Sequence, residues 1–192
     1  MALNYNRRLT GLQEKMEEQG VDLVVYGSCQ NFQYVTGLPL DWRRGVDLMH
    51  LENNVFVPRK GEPVVTLAMD SGGHAEDSWI GDVRVLKKGA SYGELVRRVV
   101  SDLDWDGGRV GLGDHVWGST WLGVARALKG AGFQSAEAFM DHLRMIKDPG
   151  EIEILRRAAR LTDKVMERVV SDLEGGVTQG ELGLYIEMMG RK

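Results

Sequence analysis

Apolar positions along this chain repeat first with mixed periods and then, near the C-terminal end, with a sustained helical one. Leu9, Leu12 and Met16 share a helical face, with Asn6 as a candidate cap and Gly20 as the stop. The run 22–26 (DLVVY) is short and β-rich and predicts a first strand. Residues 31–37 read as a loop or a short helix turning at Gly37, and 38–47 as an exposed loop. Residues 54–57 and 63–69 predict two strands joined by a hairpin-type turn at 58–61. A glycine-containing connection with one helical turn spans 70–80, and 83–86 is another strand. Ser91 is the expected cap of a helix that buries Leu95, Val96, Val99 and Leu103. Residues 109–112 are a strand. Ser119 is the expected cap of a helix to Lys129, with Leu122, Ala125 and Leu128 inward. Residues 133–136 form a last short strand and 138–146 a helix.

The sustained period follows. Asp148 is suited to N-cap, Pro149 to the first helical position, and Glu151 to the reciprocal bond of a capping box. A helix from Pro149 to about Leu173 sets Ile152, Leu155, Ala159, Thr162, Met166, Val169 and Leu173 on one broad face. Gly175 and Gly176 stop it. Thr178 and Glu181 make a second capping box, before a stripe of Leu182, Tyr185, Ile186 and Met189. Two such helices are too few to bury their own stripes. They need cover from the first domain, from another chain or from further sequence, and the last is the expectation.

The predicted architecture is α/β: a mixed β-sheet flanked by helices on both faces over residues 1–147, then C-terminal helices over 148–192. An apolar fraction of 43% is enough for a real core. The net charge of −4 is spread along the chain without a basic stripe, so no nucleic-acid partner is expected. No apolar run approaches the roughly 18 residues of a membrane span. The first residues carry charge without an apolar signal core, and Cys29 is the single cysteine. A cytoplasmic protein is expected.

Local motifs for chemistry are weak. The acidic run 102–107 imitates the start of a calcium loop, but its twelfth position is Gly113 where a bidentate carboxylate is needed. Gly111 and Gly113 imitate a dinucleotide fingerprint whose third glycine is replaced by Val116. His50, His74, His115 and His142 are far apart. His74 lies in a glycine-rich segment that could meet a ligand, or is a surface residue. Trp42, Arg43 and Arg44 form the best exposed binding candidate: two guanidinium groups can hold a carboxylate while an indole stacks on a flat group. The bland alternative is a solvated loop with the indole against the sheet.

Arg144, Lys147, Glu151 and Ile152 together resemble the R-x-x-K-x-x-x-E-I junction of the creatinase/prolidase/aminopeptidase P group of pita-bread metallohydrolases. Asn31, Tyr34, Thr36 and Gly37 are similar to that family's N-x-x-Y-x-T/S-G, and Gly176, Thr178, Glu181 and Leu182 to its G-x-T-x-x-E-L. The resemblance implies a creatinase-like N-terminal domain with a ribonuclease H-like motif over 1–147. Residues 148–192 would be the linker and first helices of an incomplete catalytic domain. It implies a parent that hydrolyses the bond before proline with two divalent metal ions (manganese, cobalt or zinc), held by carboxylates and a histidine that have no counterpart here. For this chain it implies no catalytic residue, no metal ligand and no cofactor. It implies a substrate-gating and dimerisation role beside its own catalytic domain, in a homodimer acting on proline-containing peptides. Trp42, Arg43, Arg44 and His74 would then contact substrate, across the dimer. The rival expectations are a non-catalytic peptide- or protein-binding module and a domain of a creatinase-type amidinohydrolase.

Overall fold

Strand β1 (Leu23–Gly27) is buried at all five positions because sheet flanks it on both sides and helices cover both faces. The computed structural model describes residues 3–38, 52–105, 107–113 and 118–190. The strands are β1, β2 (Asn54–Pro58), β3 (Val64–Leu67), β4 (Asp82–Val85), β5 (Arg109–Leu112) and β6 (Gly132–Ser135). They form one sheet in the order β4-β3-β2-β1-β5-β6. β2 runs antiparallel to both its neighbours, pairing Val25 with Phe56 and Val55 with Val65. The pairs β3–β4, β1–β5 and β5–β6 are parallel. Five strands therefore deliver their carboxyl ends to one edge, and only β2 opposes them.

Alternation along β1 feeds two cores. Val24 and Tyr26 join a cluster with Leu9, Leu12 and Met16 of α1 (Tyr5–Gln19), Phe32 and Val35 of α2 (Gln30–Thr36), and Phe139 and Met140 of α5 (Glu137–Met145). Leu23 and Val25 join a second cluster with Val96, Val99 and Val100 of α3 (Tyr92–Asp102), and with Val124 of α4 (Gly118–Ala127) and Leu128 just after it. This is the expected mixed sheet with helices on both faces. Burying each such side chain is worth about 1.5–3 kcal/mol.

Several local expectations need correction. Asn4, not Asn6, caps α1, its side chain accepting from Arg7 N–H at 3.0 Å, because the helix starts earlier than the apolar stripe. Ser91 precedes α3 without a side-chain cap bond, and the buried stripe is Val96, Val99 and Val100. Ser119 falls inside α4 rather than before it. The inward positions there are Val124 and Leu128, four apart on one face, so Leu122 points away and is exposed. The connection after β3 is a nine-residue 3₁₀ helix, Met69–Asp77, longer than one turn. Gly111 and Gly113 serve packing. A Cβ on Gly111 would sit 2.8 Å from the Ala136 methyl, and one on Gly113 2.6 Å from the Tyr26 ring.

The described chain divides into two compact units, one of Asn4–Ile146 and one centred on Lys147–Lys192. The second consists of α6 (Pro149–Asp172) and α7 (Gln179–Gly190). The capping box at its start is complete: Glu151 N–H donates to Asp148 Oδ1 at 2.8 Å and Asp148 N–H to Glu151 Oε2 at 2.9 Å. The Thr178–Glu181 box forms in the same way. Of α6 only Gly150 and Val169 are buried. No described helix is long and apolar enough to cross a membrane.

Candidate functional site

The carboxyl edge of the sheet is where an open α/β fold places ligands. Here that edge is dominated by α2, which leaves directly from β1 through Ser28 and Cys29. Cys29 is the extended N-cap residue and makes no side-chain cap bond. Its thiol is buried, and desolvation pushes its pKa up, so the nucleophilic thiolate is disfavoured.

A seven-residue helix cannot hold itself, and α2 is held by its carbonyls. Phe32 C=O accepts from Thr36 Oγ1 at 2.8 Å, and Gln33 C=O from Gly37 N–H at 2.9 Å. Tyr34 C=O accepts from Arg8 Nη1 at 3.0 Å, and Val35 C=O from Trp79 Nε1 at 2.7 Å. Thr36 C=O accepts from Ser78 Oγ at 3.4 Å. Every carbonyl that the last turn would leave open has a partner. The Arg8 charge sits where the helix dipole is negative. Its guanidinium also lies 4.0 Å over the Tyr34 ring and 4.9 Å over Tyr5, a cation–π sandwich for a nearly buried cation. Tyr5 stacks on Trp79 with centroids 5.9 Å apart.

The four residues of the N-x-x-Y-x-T-G run each have a place in this brace. Asn31 is fully buried and its Oδ1 accepts from Arg144 Nη1 at 3.1 Å. Tyr34 donates its hydroxyl to Leu143 C=O at 3.4 Å. Thr36 Oγ1 also accepts from Leu38 N–H. Gly37 has φ +74°, and a Cβ there would meet the Tyr5 ring at 2.8 Å. Asn31 and Arg144 lie far apart in sequence, in two different motifs, and the fold brings them into one hydrogen bond. Sequence reasoning missed Arg8, Tyr5 and Trp79. Leu9 marked the face of α1, but nothing in its period announced a buried arginine beside it.

Of the residues expected to contact substrate, only His74 is among the described residues. Trp42, Arg43 and Arg44 lie outside the described residues, between Leu38 and Glu52. His74 is half-exposed on the 3₁₀ helix, its Nδ1 3.0 Å from Asp77 Oδ2. Asn53 Nδ2 donates to Ser71 Oγ, within that helix, in a buried bond of 3.0 Å. Beside them Asn54 Nδ2 donates to Tyr92 OH, whose pKa burial pushes well up. Among the described residues no three His, Cys, Asp or Glu side chains gather as a metal site. These residues therefore do not fit a two-metal centre, and no metal-dependent step is assigned to them. Among the described residues the arrangement is a hydrogen-bonded brace around α2.

The family model of the creatinase/prolidase N-terminal domain matches residues 8–146. The chain belongs to that family. Among curated proteins it is similar to the ectoine hydrolase of Halomonas elongata, 25% identical over 97% of this chain and 48% of that protein. Among solved structures it is similar to a prolidase from Thermococcus sibiricus, with a TM-score of 0.84 and 22% identity over 98% of this chain and 50% of the other. A dipeptidase of Pyrococcus horikoshii gives a TM-score of 0.78 at 23% identity over 95% and 49%. The chain spans about half the length of each of these three proteins.

Proposed function

We propose that this chain is the substrate-gating and dimerising N-terminal domain of an Xaa-Pro dipeptidase or aminopeptidase in the cytoplasm. The observation that carries this reading is the family match across the whole first unit. The prolidase-like fold agrees with it. In this reading Trp42, Arg43 and Arg44, which follow the α2 brace in sequence, and His74 would contact a substrate carboxylate. The hydrolytic step, with two divalent ions such as manganese, cobalt or zinc, belongs to a catalytic domain that this chain accompanies in a homodimer. The 192 residues alone are then inactive.

A second reading draws on the ectoine hydrolase relative. Its name points to a small cyclic substrate rather than a peptide, and keeps the amidinohydrolase alternative in play. One panel separates the two. The 192-residue chain and the longest open reading frame containing it are assayed with Xaa-Pro dipeptides, longer Xaa-Pro peptides, creatine and ectoine, with manganese added. The proposal expects proline-specific turnover by the longer protein and none by the shorter. Turnover by the 192-residue chain would overturn its non-catalytic role. Cleavage of ectoine or creatine without Xaa-Pro hydrolysis would overturn the peptidase reading.

A further inference from the structure

The first edge of the sheet carries a cleft that neither reading uses. β4 pairs with β3 on one side only, leaving its other edge open among the described residues. Val83 and Val85 turn toward the core shared with α1 and α2, so Asp82 and Arg84 fall on the opposite face, toward α3. Arg84 is fully engaged there, donating to Asp82 at 2.6 and 2.9 Å and to Asp102 at 2.7 Å. α3 packs on α4, and a cleft of about 360 Å³ remains between α3 and the end of β4. Leu86, Ala90 and Leu95 give it an apolar lining, and Lys87, Glu94 and Arg98 are its charged members beside Arg84.

The charge of this region opposes that of the chain. Between positions 84 and 98 the sequence has five basic residues, Arg84, Lys87, Lys88, Arg97 and Arg98, against one acid, Glu94, in a chain of net −4, with Asp82 and Asp102 outside that stretch engaging Arg84. Lys87 and Arg98 are exposed and have no ion-pair partner among the described residues. A basic rim over an apolar lining, beside an unpaired strand edge, matches one chemistry. We propose that this cleft binds an extended acidic peptide segment of a partner chain. It would lie along β4, with alternate apolar side chains over Leu86, Ala90 and Leu95 and its carboxylates on Lys87 and Arg98. This site is independent of the hydrolase reading and survives its failure.

The test uses the 192-residue chain and a fluorescein-labelled hexapeptide of alternating glutamate and leucine, followed by fluorescence polarisation. Binding should occur, and Lys87→Glu with Arg98→Glu should weaken it roughly tenfold. Glu94→Gln should tighten it roughly twofold. Arg156→Glu with Arg157→Glu, on α6, should leave it unchanged. Amides of residues 83–87 should gain protection from hydrogen exchange when peptide is bound. Equal binding of a lysine–leucine peptide, or equal loss in the α6 variant, would show mere surface attraction and overturn the site. Binding of free glutarate that displaces the peptide without protecting β4 would mark a small-anion cleft and overturn the strand-docking mode.

Discussion

β1 is apolar and α6 carries apolar stripes, yet the two end in opposite environments. All five residues of β1 are buried. In α6, Ile154 is 49% exposed, Leu155 53% and Val170 69%, and only Gly150 and Val169 are buried. The exposed residues fall on two faces, Ile152, Leu155 and Met166 on one and Ile154 and Leu161 on another. A helix with two apolar faces is built for cover on both. The difference teaches that a pattern states which surfaces need burial, whereas neighbours decide whether they get it. The hardest test of the contrast is a matched pair. Leu12→Ala in α1, at 0% exposure, should cost about 2–5 kcal/mol in urea unfolding. Leu155→Ala in α6 should stay within about 0.5 kcal/mol in the 192-residue chain. Equal losses would break the comparison.

A smaller effect is expected at the brace. Arg144→Ala leaves the buried Asn31 carbonyl oxygen without its donor, at a cost of about 1–3 kcal/mol. Asn31→Ala together with Arg144→Ala should cost less than the sum of the singles, since each single removes the same bond. Additive losses would mean that the contact carries no coupling, and that the two motifs meet without holding one another.

The two regions also differ in how far the sequence disclosed them. Periodicity located every described strand, and the antiparallel hairpin of β2 and β3, because alternation and turn residues are local signals. Asp148, Pro149 and Glu151 disclosed the start of α6 down to the individual hydrogen bonds, since a capping box closes within four residues. Local signals failed where several helix starts compete: Asn4 and Asn6 both qualify as caps, and only packing of the α1 stripe chooses between them. The brace around α2 was half legible. Its Asn31, Tyr34, Thr36 and Gly37 stood out as a motif, but Arg8, Tyr5 and Trp79 reach it across sequence distances that no period encodes. The two glycines at 111 and 113 only imitate a dinucleotide fingerprint, and the Ala136 methyl and the Tyr26 ring explain them.

The cap itself sharpens the contrast from the other side, because it stabilises α6 without burial. Asp148→Ala removes the acceptor for Glu151 N–H and should cost about 1 kcal/mol. The loss belongs to the second unit. Hydrogen exchange should speed up at the first amides of α6 and stay unchanged in β1. Asp148→Asn or Asp148→Ser should recover most of it. Acceleration in β1 as well would mean that the units unfold as one, and the comparison would need redrawing.

The smallest effect concerns the edge of the sheet, where burial and exposure meet. Hydrogen bonds from Arg84 lower the Asp82 carboxyl below its ordinary 3.8, with desolvation opposing them. The folded state therefore holds its carboxylate more firmly than the unfolded chain does. The stabilisation is fully present above the ordinary value and disappears as pH falls through the lowered one. Asp82 is partly solvated, so screening limits the gain to less than about 1 kcal/mol. Between pH 5 and roughly pH 3, the wild-type chain should lose slightly more stability than Asp82→Asn, which has no carboxyl to titrate there. The measurement is the urea midpoint of both proteins across that range. If the variant loses as much as the wild type, Arg84 is not holding Asp82, and β4 is kept in place by its pairing with β3 and by Val83 and Val85.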